Sequence, residues 1–309
     1  MKTFEEVVSG LSDGQKSAII RKVARGLTGD ESQVETILQG VLSGELKIVV
    51  QDTTVKLVDR NGRWIPLPGM TEEIVDADRG YHLAQPTVDY AAVHARFTRH
   101  MPGQTFVTAD QFRERGLAVI ERVKSDRQIA NLLQGTYLPV CFPHCEVVDY
   151  GAVLEDMFLA AVGLAYAEAF PERTFENWRR GTLAGQVTVV SGTRHECLIE
   201  AMRQGPTVGV YFPTCLQGFG ILADRTMVQQ FPNDVLLTGA FEPAMGFIGY
   251  SEVLGRDGMT PALDCPANLW RGPGRSLFFC PGDAKLGFGI GNLVAHGLCS
   301  GGVVVLWQS

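Results

Sequence analysis

The sequence has no block of basic residues and no intact phosphate-binding glycine loop. Its 309 residues include 27 basic and 34 acidic side chains, which leaves a formal net charge of −7. Nucleic-acid binding depends on a concentrated positive surface, so this balance argues against a nucleic-acid partner. No G-x-x-x-x-G-K-[ST] segment is present, and Gly287-x-Gly289-x-Gly291 does not match G-x-G-x-x-G. The sequence therefore predicts neither a nucleotide nor any other cofactor.

The chain also lacks a recognisable secretory signal and an even set of cysteines. Residues 1–6 carry acidic side chains where a signal peptide has a basic start and an apolar run. The cysteines number 7, an odd count for a disulfide framework, and all of them follow residue 140. These features predict a cytoplasmic protein whose thiols are reduced and mostly buried.

The last 24 residues contain no charged side chain. Residues 286–309 are long enough to cross a bilayer, but six of them are glycines. Each glycine weakens a helix by roughly 1 kcal/mol relative to alanine, so a membrane-spanning helix is disfavoured. We expect two buried strands here, at residues 286–290 and 303–307, and no membrane partner.

What the sequence does contain is a change in charge density near residue 130. The first 130 residues hold 17 basic and 18 acidic side chains, whereas the remaining 179 hold 10 and 16 together with 24 of the 35 glycines. We therefore predict an α+β fold in two parts. Residues 1–135 form a mainly helical region with a β-hairpin near 47–65, and residues 136–309 form a Gly-rich α/β region with a mixed sheet covered by helices.

Apolar spacing, capping residues and turn signals place the individual elements. Asn61-Gly62 before Trp64 is a tight-turn signal for the hairpin, which has its β-rich runs at residues 47–50 and 55–59. Helices are predicted at residues 12–25, 30–42, 87–100, 108–124, 150–170 and 193–204, and strands at residues 137–142, 186–190 and 207–212, the last ended by Pro213.

The start of the helix predicted over residues 193–204 is a candidate anion site. A strand, then Ser191, Gly192, Thr193 and Arg194, then the helix would bring free N–H groups and a guanidinium to one point. That point could hold a phosphate or a carboxylate. Thr193-x-x-Glu196 also fits a capping box, which would use the same N–H groups for local structure.

A short internal similarity marks two cysteines as catalytic candidates. The segment VCFPHC at residues 140–145 matches VYFPTC at residues 210–215 in four of six positions. Each segment places a cysteine two residues after a proline that ends a predicted strand. If those strands were parallel neighbours, Cys145 and Cys215 would lie at the same sheet edge with His144 beside them. Duplication and coincidence both explain a similarity this short.

A zinc site and a set of buried thiols compete for the same residues. Cys141, His144 and Cys145 have the ligand types that zinc prefers, and His195 with Cys197 could complete the set. The second pair lies on a predicted helix, however, where positions so close in sequence diverge. The default interpretation is that the thiols are buried and that His195 is a core histidine on an apolar helix face.

Three acidic residues lie in a stretch without basic side chains. Asp149, Glu155 and Asp156 could act as acid and base or bind a hard cation. Acids in the first turns of a helix are also favoured by the helix dipole. The second interpretation needs no further residue.

Two remaining motifs only weakly indicate a catalytic or binding site. Gly297-x-Cys299-x-Gly301 has the form of a cysteine nucleophile turn, but the β-rich segment after it favours a glycine-rich strand connection. Trp178-Arg179-Arg180 could bind a carboxylate or a base, or could be a solvated surface.

Residues 137–220 resemble a group of uncharacterised bacterial hypothetical proteins. The resemblance lies in LAGQV at residues 183–187, RHE at residues 194–196 and GVYFP at residues 209–213. It implies a bacterial cytosolic context, and it implies no mechanism because the group has no assigned activity.

Two functional hypotheses follow. The first is a cytosolic, non-catalytic binding or self-assembling protein, favoured by the low charge of the second region and the lack of an intact catalytic motif. The alternative is a hydrolase or transferase that binds a small anionic substrate near Thr193 and Arg194. In that enzyme Cys145, Cys215 or His144 would carry the chemistry.

Overall fold

The structure is a computed structural model that describes residues 56–308 apart from Arg79, His82, Asp257 and Asp283. The described residues belong to one compact unit, Thr54–Ser309. The helices predicted at residues 12–25 and 30–42 and the strand at residues 47–50 lie outside the described residues.

The described residues form an α+β fold, as the sequence predicts. Helix α2 shows how local signals fix an element: Thr108 caps it, with its hydroxyl accepting from Gln111 N while the Gln111 side chain accepts from Thr108 N. The helices are α1 (Tyr90–His100), α2 (Ala109–Ser125), α3 (Tyr150–Ala169), α4 (His195–Gln204), α5 (Ile221–Met227) and α6 (Phe241–Leu254). The strands are β1 (Leu138–Phe142), β2 (Thr174–Asn177), β3 (Val187–Val189), β4 (Thr207–Gln217), β5 (Val235–Leu237), β6 (Ala262–Cys265), β7 (Asn268–Trp270), β8 (Arg275–Gly282), β9 (Lys285–Asn292) and β10 (Cys299–Leu306).

Eight of these strands form one mixed sheet. Its order is β1-β4-β10-β6-β8-β9-β2, with β5 also pairing with β10. Strands β10 and β6 are parallel, as are β2 and β9, and the other pairs are antiparallel. Strands β3 and β7 pair separately. Within the described residues β2 is therefore an edge strand.

A hydrophobic core covers each face of the sheet. Alternation along β10 shows the division, since Val304 belongs to one core and Val303 and Val305 to the other. Phe97 of α1 lies in the first core and Val123 of α2 in the second. The described helices that precede residue 135 thus share their cores with the sheet that follows it.

The two strands predicted near the C-terminus are present as β9 and β10. The prediction that Pro213 ends its strand is wrong, because β4 continues to Gln217. Phe212 pairs with Val303 and Leu216 with Gly301, so β4 has extra residues between these pairs. This bulge accommodates a proline, which has no N–H to donate to the ladder.

Among the described helices, α3 alone is long and apolar enough to cross a membrane. Half of its most apolar window is buried inside the protein. Phe158 and Val162 lie in the first core, so the composition of α3 is that of a core helix. Its second turn, Leu154–Leu159, is a π-helix, a form often found at functional sites.

Candidate functional site

A groove of about 510 Å³ lies between α3 and the edge strand β2. Its volume is within the range of small-molecule sites. The floor and walls are mostly apolar, with three charged side chains at the rim. The lining residues are Glu155, Leu159, Ala160, Gly163, Phe175, Glu176, Asn177, Trp178 and Arg180.

Trp178 forms one wall of the groove and is 48% exposed. Part of its indole lies on β9, where a Cβ at Gly287 would come 2.4 Å from the ring and a Cβ at Gly289 would come 2.7 Å from it. The indole Nε1–H donates to Glu176 Oε2 at 3.0 Å. The glycine run that fails as a nucleotide motif thus serves to hold Trp178, whose remaining surface borders the groove.

The two carboxylates at the groove are already hydrogen-bonded within the protein. Glu176 Oε2 accepts from Lys285 Nζ at 2.9 Å, and this bond, with the one from Trp178, lowers the pKa of Glu176. Glu155 accepts from the backbone N–H groups of Gly181 and Leu183. Both negative charges are therefore partly compensated.

Arg180 carries the uncompensated charge of the groove. Its side chain is exposed, and no carboxylate among the described residues pairs with it. Its backbone N–H donates to Asn177 O at 3.3 Å, which fixes the turn that follows β2. The motif Trp178-Arg179-Arg180 thus contributes two of its three side chains to the groove.

Residues 178–185, which carry this motif, are held against the first turn of α3. Asp149 caps that helix by accepting from Ala152 N at 2.9 Å, and its second oxygen accepts from Gly185 N at 2.7 Å. These backbone donors lower the pKa of Asp149. A Cβ at Gly151 would lie 1.9 Å from Leu183 O, so only glycine fits at this position. Asp149 thus has the capping role that the helix dipole favours, and with Glu155 it fixes the segment.

The candidate anion site has no free guanidinium. Arg194 donates to the carbonyl oxygens of Val228, Phe231, Pro232 and Val235. The guanidinium of Arg194 thus bonds to the backbone of the segment that follows α5, and Arg194 is partly buried there. Ser191 and Gly192 remain exposed beside it.

The capping box predicted at the same place is wrong. Helix α4 begins at His195, and Arg194 in the left-handed region (φ 64°) precedes it with no side-chain capping bond. The Thr193 hydroxyl instead donates to Val190 O at 2.7 Å. The Thr193-x-x-Glu196 pattern does not form a capping box because the turn before the helix uses the Thr193 hydroxyl and delays the helix start to His195.

The cysteine and histidine candidates do not converge. Strands β1 and β4 are antiparallel, with Phe142 opposite Thr207, so Cys145 and Cys215 lie toward opposite ends of β4. The expectation of a shared sheet edge is wrong for this reason. His144 Nε2 lies 3.2 Å from Arg203 O. Among the described residues no three His, Cys, Asp or Glu side chains could hold a metal ion.

Burial makes the candidate thiols poor nucleophiles. It raises the pKa of Cys141 to about 12 and also raises the pKa values of Cys145 and Cys215. Cys299 begins strand β10, so residues 299–301 lie in a strand rather than in the predicted connection, and burial raises the pKa of Cys299 to about 12. Cys197 is exposed on α4, whereas His195 on the same helix is buried.

Sequence reasoning missed a buried hydrogen-bonded chain. The Tyr150 hydroxyl accepts from Ala240 N at 2.9 Å and lies 3.1 Å from His195 Nε2, while His195 Nδ1 lies 3.0 Å from Glu242 Oε1. Gly239 N donates to the other Glu242 oxygen at 3.0 Å. His195 is a core histidine, as predicted. Because these hydrogen-bonded side chains have no access to solvent, they link α3, α4 and α6 and cannot contact a solute. The one available signal was Glu242, a charged residue in the first turn of a helix that carries no further charge until Glu252.

Two further buried carboxyl groups lie on the other side of the sheet. The carboxyl group of Asp224 is fully buried with no hydrogen-bond partner among the described residues, and burial raises its pKa well above the usual value. Burial raises the pKa of Asp264 to about 7. A Cβ at Gly301 would lie 2.2 Å from Asp224 Oδ2, so β10 packs directly on this carboxyl group.

Of these places, the groove combines access to solvent, a suitable volume and an unused charge. The buried chain around His195 and the carboxyl groups of Asp224 and Asp264 have no comparable opening. Comparisons with protein families, with curated proteins and with solved structures find no match for this chain.

Proposed function

We propose that the protein is a non-catalytic binding protein whose ligand occupies the groove between α3 and β2. The observation that carries this proposal is a half-exposed Trp178 fixed beside an unpaired Arg180 in a cavity of about 510 Å³. A large aromatic ring left half open to water, next to an unused cation, is typical of a surface that a ligand covers.

The lining favours binding over catalysis. Its described residues include no histidine, cysteine, serine or lysine, and Glu155 and Glu176 are engaged as hydrogen-bond acceptors. A general base or nucleophile would need a free group of that kind within reach of the ligand. The groove offers contact area and charge instead.

The groove is also built before a ligand arrives. Asp149 and Glu155 hold residues 178–185 to α3, and β9 supports the indole from the other side. A fixed wall loses little conformational entropy on binding, so more of the contact energy contributes to affinity.

We expect 8-anilinonaphthalene-1-sulfonate, a bulky aromatic anion, to bind once per chain in this groove. Trp178→Ala should weaken that binding by tenfold or more, because it removes the exposed wall. Titration of the dye fluorescence measures the affinity, and circular dichroism checks that the variant is folded. Leu222→Ala is the matched control, since Leu222 is 50% exposed on α5.

The result that would overturn the proposal is equal dye affinity in the wild-type protein and Trp178→Ala. Equal weakening by Leu222→Ala would do the same, because it would show that the dye coats exposed apolar residues generally. Self-association, a cytoplasmic location and the bacterial context remain predictions of the sequence.

A further inference from the structure

We infer that the ligand of the groove is a flat aromatic monocarboxylate, with its ring on Trp178 and its carboxylate on Arg180. The inference rests on the proposed function, because it names the ligand class of the same site. It comes from two groups of the lining that have no partner among the described residues, the exposed surface of the Trp178 ring and the guanidinium of Arg180.

The ring preference follows from how Trp178 is held. Its indole is backed by Gly287 and Gly289 and tied through Nε1–H to Glu176, so it presents a fixed aromatic surface. Aromatic rings pack well against such a surface in offset or edge-to-face geometry. Leu159 of α3 and Phe175 of β2 add apolar surface to the groove. An exposed aromatic surface of this kind favours a flat ring over a branched aliphatic group.

The charge preference follows from Arg180. A guanidinium presents paired N–H donors that match the two oxygens of a carboxylate. The other nearby cation, Lys285, lies 5.8 Å from the centroid of the Trp178 ring but is paired with Glu176. Arg180 is therefore the cation that is free to meet a ligand among the described residues of the groove.

The preference for a single negative charge follows from the acids at the rim. Glu155 and Glu176 line the same cavity as Arg180, and their charges oppose a second negative charge on the ligand. A cationic amine is disfavoured because both Glu155 oxygens and Glu176 Oε2 already accept hydrogen bonds from the protein, Lys285 pairs with Glu176, and the guanidinium of Arg180 repels a second cation. The balance favours a monoanion over a dianion and over a cation.

The test is calorimetric titration of the full chain with four related probes. Indole-3-acetate has the ring and the charge, indole-3-acetamide has the ring alone, cyclohexylacetate has the charge without an aromatic ring, and tryptamine has the opposite charge. We expect indole-3-acetate to bind tenfold or more tightly than any of the others. Arg180→Ala should lower its affinity to that of the amide and leave the amide unchanged.

Arg113→Ala is the matched control, since Arg113 is exposed on α2 and outside the groove. Equal affinities for the acid and the amide, or tightest binding of tryptamine, would overturn the inference. Binding of the naphthalene dye that still depends on Trp178 would then leave the proposed function standing. No binding by any of the four probes would also overturn the inference, and loss of the Trp178-dependent dye site would overturn both.

The same carboxylate could belong to a free acid or to the C-terminus of a peptide. The tripeptide acetyl-Gly-Gly-Phe and its C-terminal amide distinguish these sources in the same titration. Tighter binding of the tripeptide acid than of indole-3-acetate would assign the site to peptide termini, and the reverse order would assign it to small acids. An acid and amide tripeptide of equal affinity would count against the carboxylate contact with Arg180.

Discussion

Buried tyrosine hydroxyls in this protein differ sharply in what they bond. The hydroxyl of Tyr150 accepts from Ala240 N and contacts His195, which continues to Glu242. The hydroxyl of Tyr211 has no hydrogen-bond partner among the described residues, although its side chain is just as buried. Burial of a hydroxyl is costly unless it is bonded, so the two residues contribute differently to the stability of one fold.

Removing the two hydroxyls therefore gives opposite predictions. Tyr150→Phe should lower the free energy of unfolding by about 1–3 kcal/mol, because it leaves His195 Nε2 buried without a partner. Tyr211→Phe, the same change at an unbonded hydroxyl, should be neutral or stabilising. Urea unfolding followed by circular dichroism measures both. Equal effects in the two variants would contradict the role given to the chain around His195.

The buried carboxyl of Asp264 predicts a pH dependence. Burial raises its pKa to about 7 in the folded protein, whereas an aspartate in the unfolded chain titrates near 4. Between these values the folded state binds more protons than the unfolded state, so the free energy of unfolding falls as the pH rises. The fall from this one group is on the order of 1 kcal/mol per pH unit and ends near pH 7.

Urea unfolding at pH 5, 6, 7 and 8 measures this dependence, with Asp264→Asn as the comparison. The variant cannot ionise at this position, so its stability should fall less over the same range. Parallel curves for the variant and the wild-type protein would show that Asp264 does not cause the dependence. Asp224, whose pKa is also raised, adds to the slope in both proteins.

At the scale of elements, α3 is the support of the candidate site. It meets residues 178–185 at Gly151 and faces β2 at Gly163, and of these two glycines only Gly163 lines the groove. Their surroundings differ: a Cβ at Gly151 would lie 1.9 Å from a backbone oxygen, whereas a Cβ at Gly163 would lie 3.2 Å from the edge of the Phe175 ring. A side chain can move aside where a fixed backbone cannot.

The same substitution should therefore have different effects at these positions. Gly151→Ala should destabilise the protein by about 2 kcal/mol or more and weaken dye binding in the groove, since the backbone of Leu183 has to move. Gly163→Ala should change stability by less than about 1 kcal/mol, because the gain in helix propensity offsets the tighter packing. Unfolding and dye titration of both variants give the comparison. A more damaging change at Gly163 would contradict this account of α3.

The parts of the structure that local sequence determines were predictable, and the parts that distant pairings determine were not. The helix opened by Thr108 depends on residues within one turn, and its start was predicted correctly. The groove depends on the parallel pairing of β2 with β9, which places Gly287 and Gly289 against Trp178. No local pattern encodes that pairing.

Arg194 also shows that distant contacts decide what a local motif can do. Its neighbours in sequence predict an anion site at a helix start, but carbonyl oxygens 34 to 41 residues away use its donors. A local motif states what a residue could bond, and only the tertiary fold decides whether its donors remain available.

At the scale of the whole molecule, polar groups fall into an inaccessible set and an accessible one. The chain around His195 and the carboxyl groups of Asp224 and Asp264 lie in the cores, where they affect stability. Trp178 and Arg180 lie at the edge of the sheet, where they can meet a ligand. This separation is the reason we propose that a ligand binds in the groove, while the interior polar groups affect stability.

The most direct test of the groove is ¹⁹F NMR of the protein labelled with 5-fluorotryptophan. The sequence contains 4 tryptophans, and Trp178→Phe assigns the resonance of interest. Trp64 and Trp270 are 1% and 7% exposed, whereas Trp178 is 48% exposed and borders the groove. On addition of 8-anilinonaphthalene-1-sulfonate, the resonance of Trp178 should shift most and saturate at one dye per chain. An unchanged Trp178 resonance with the dye bound would contradict the account.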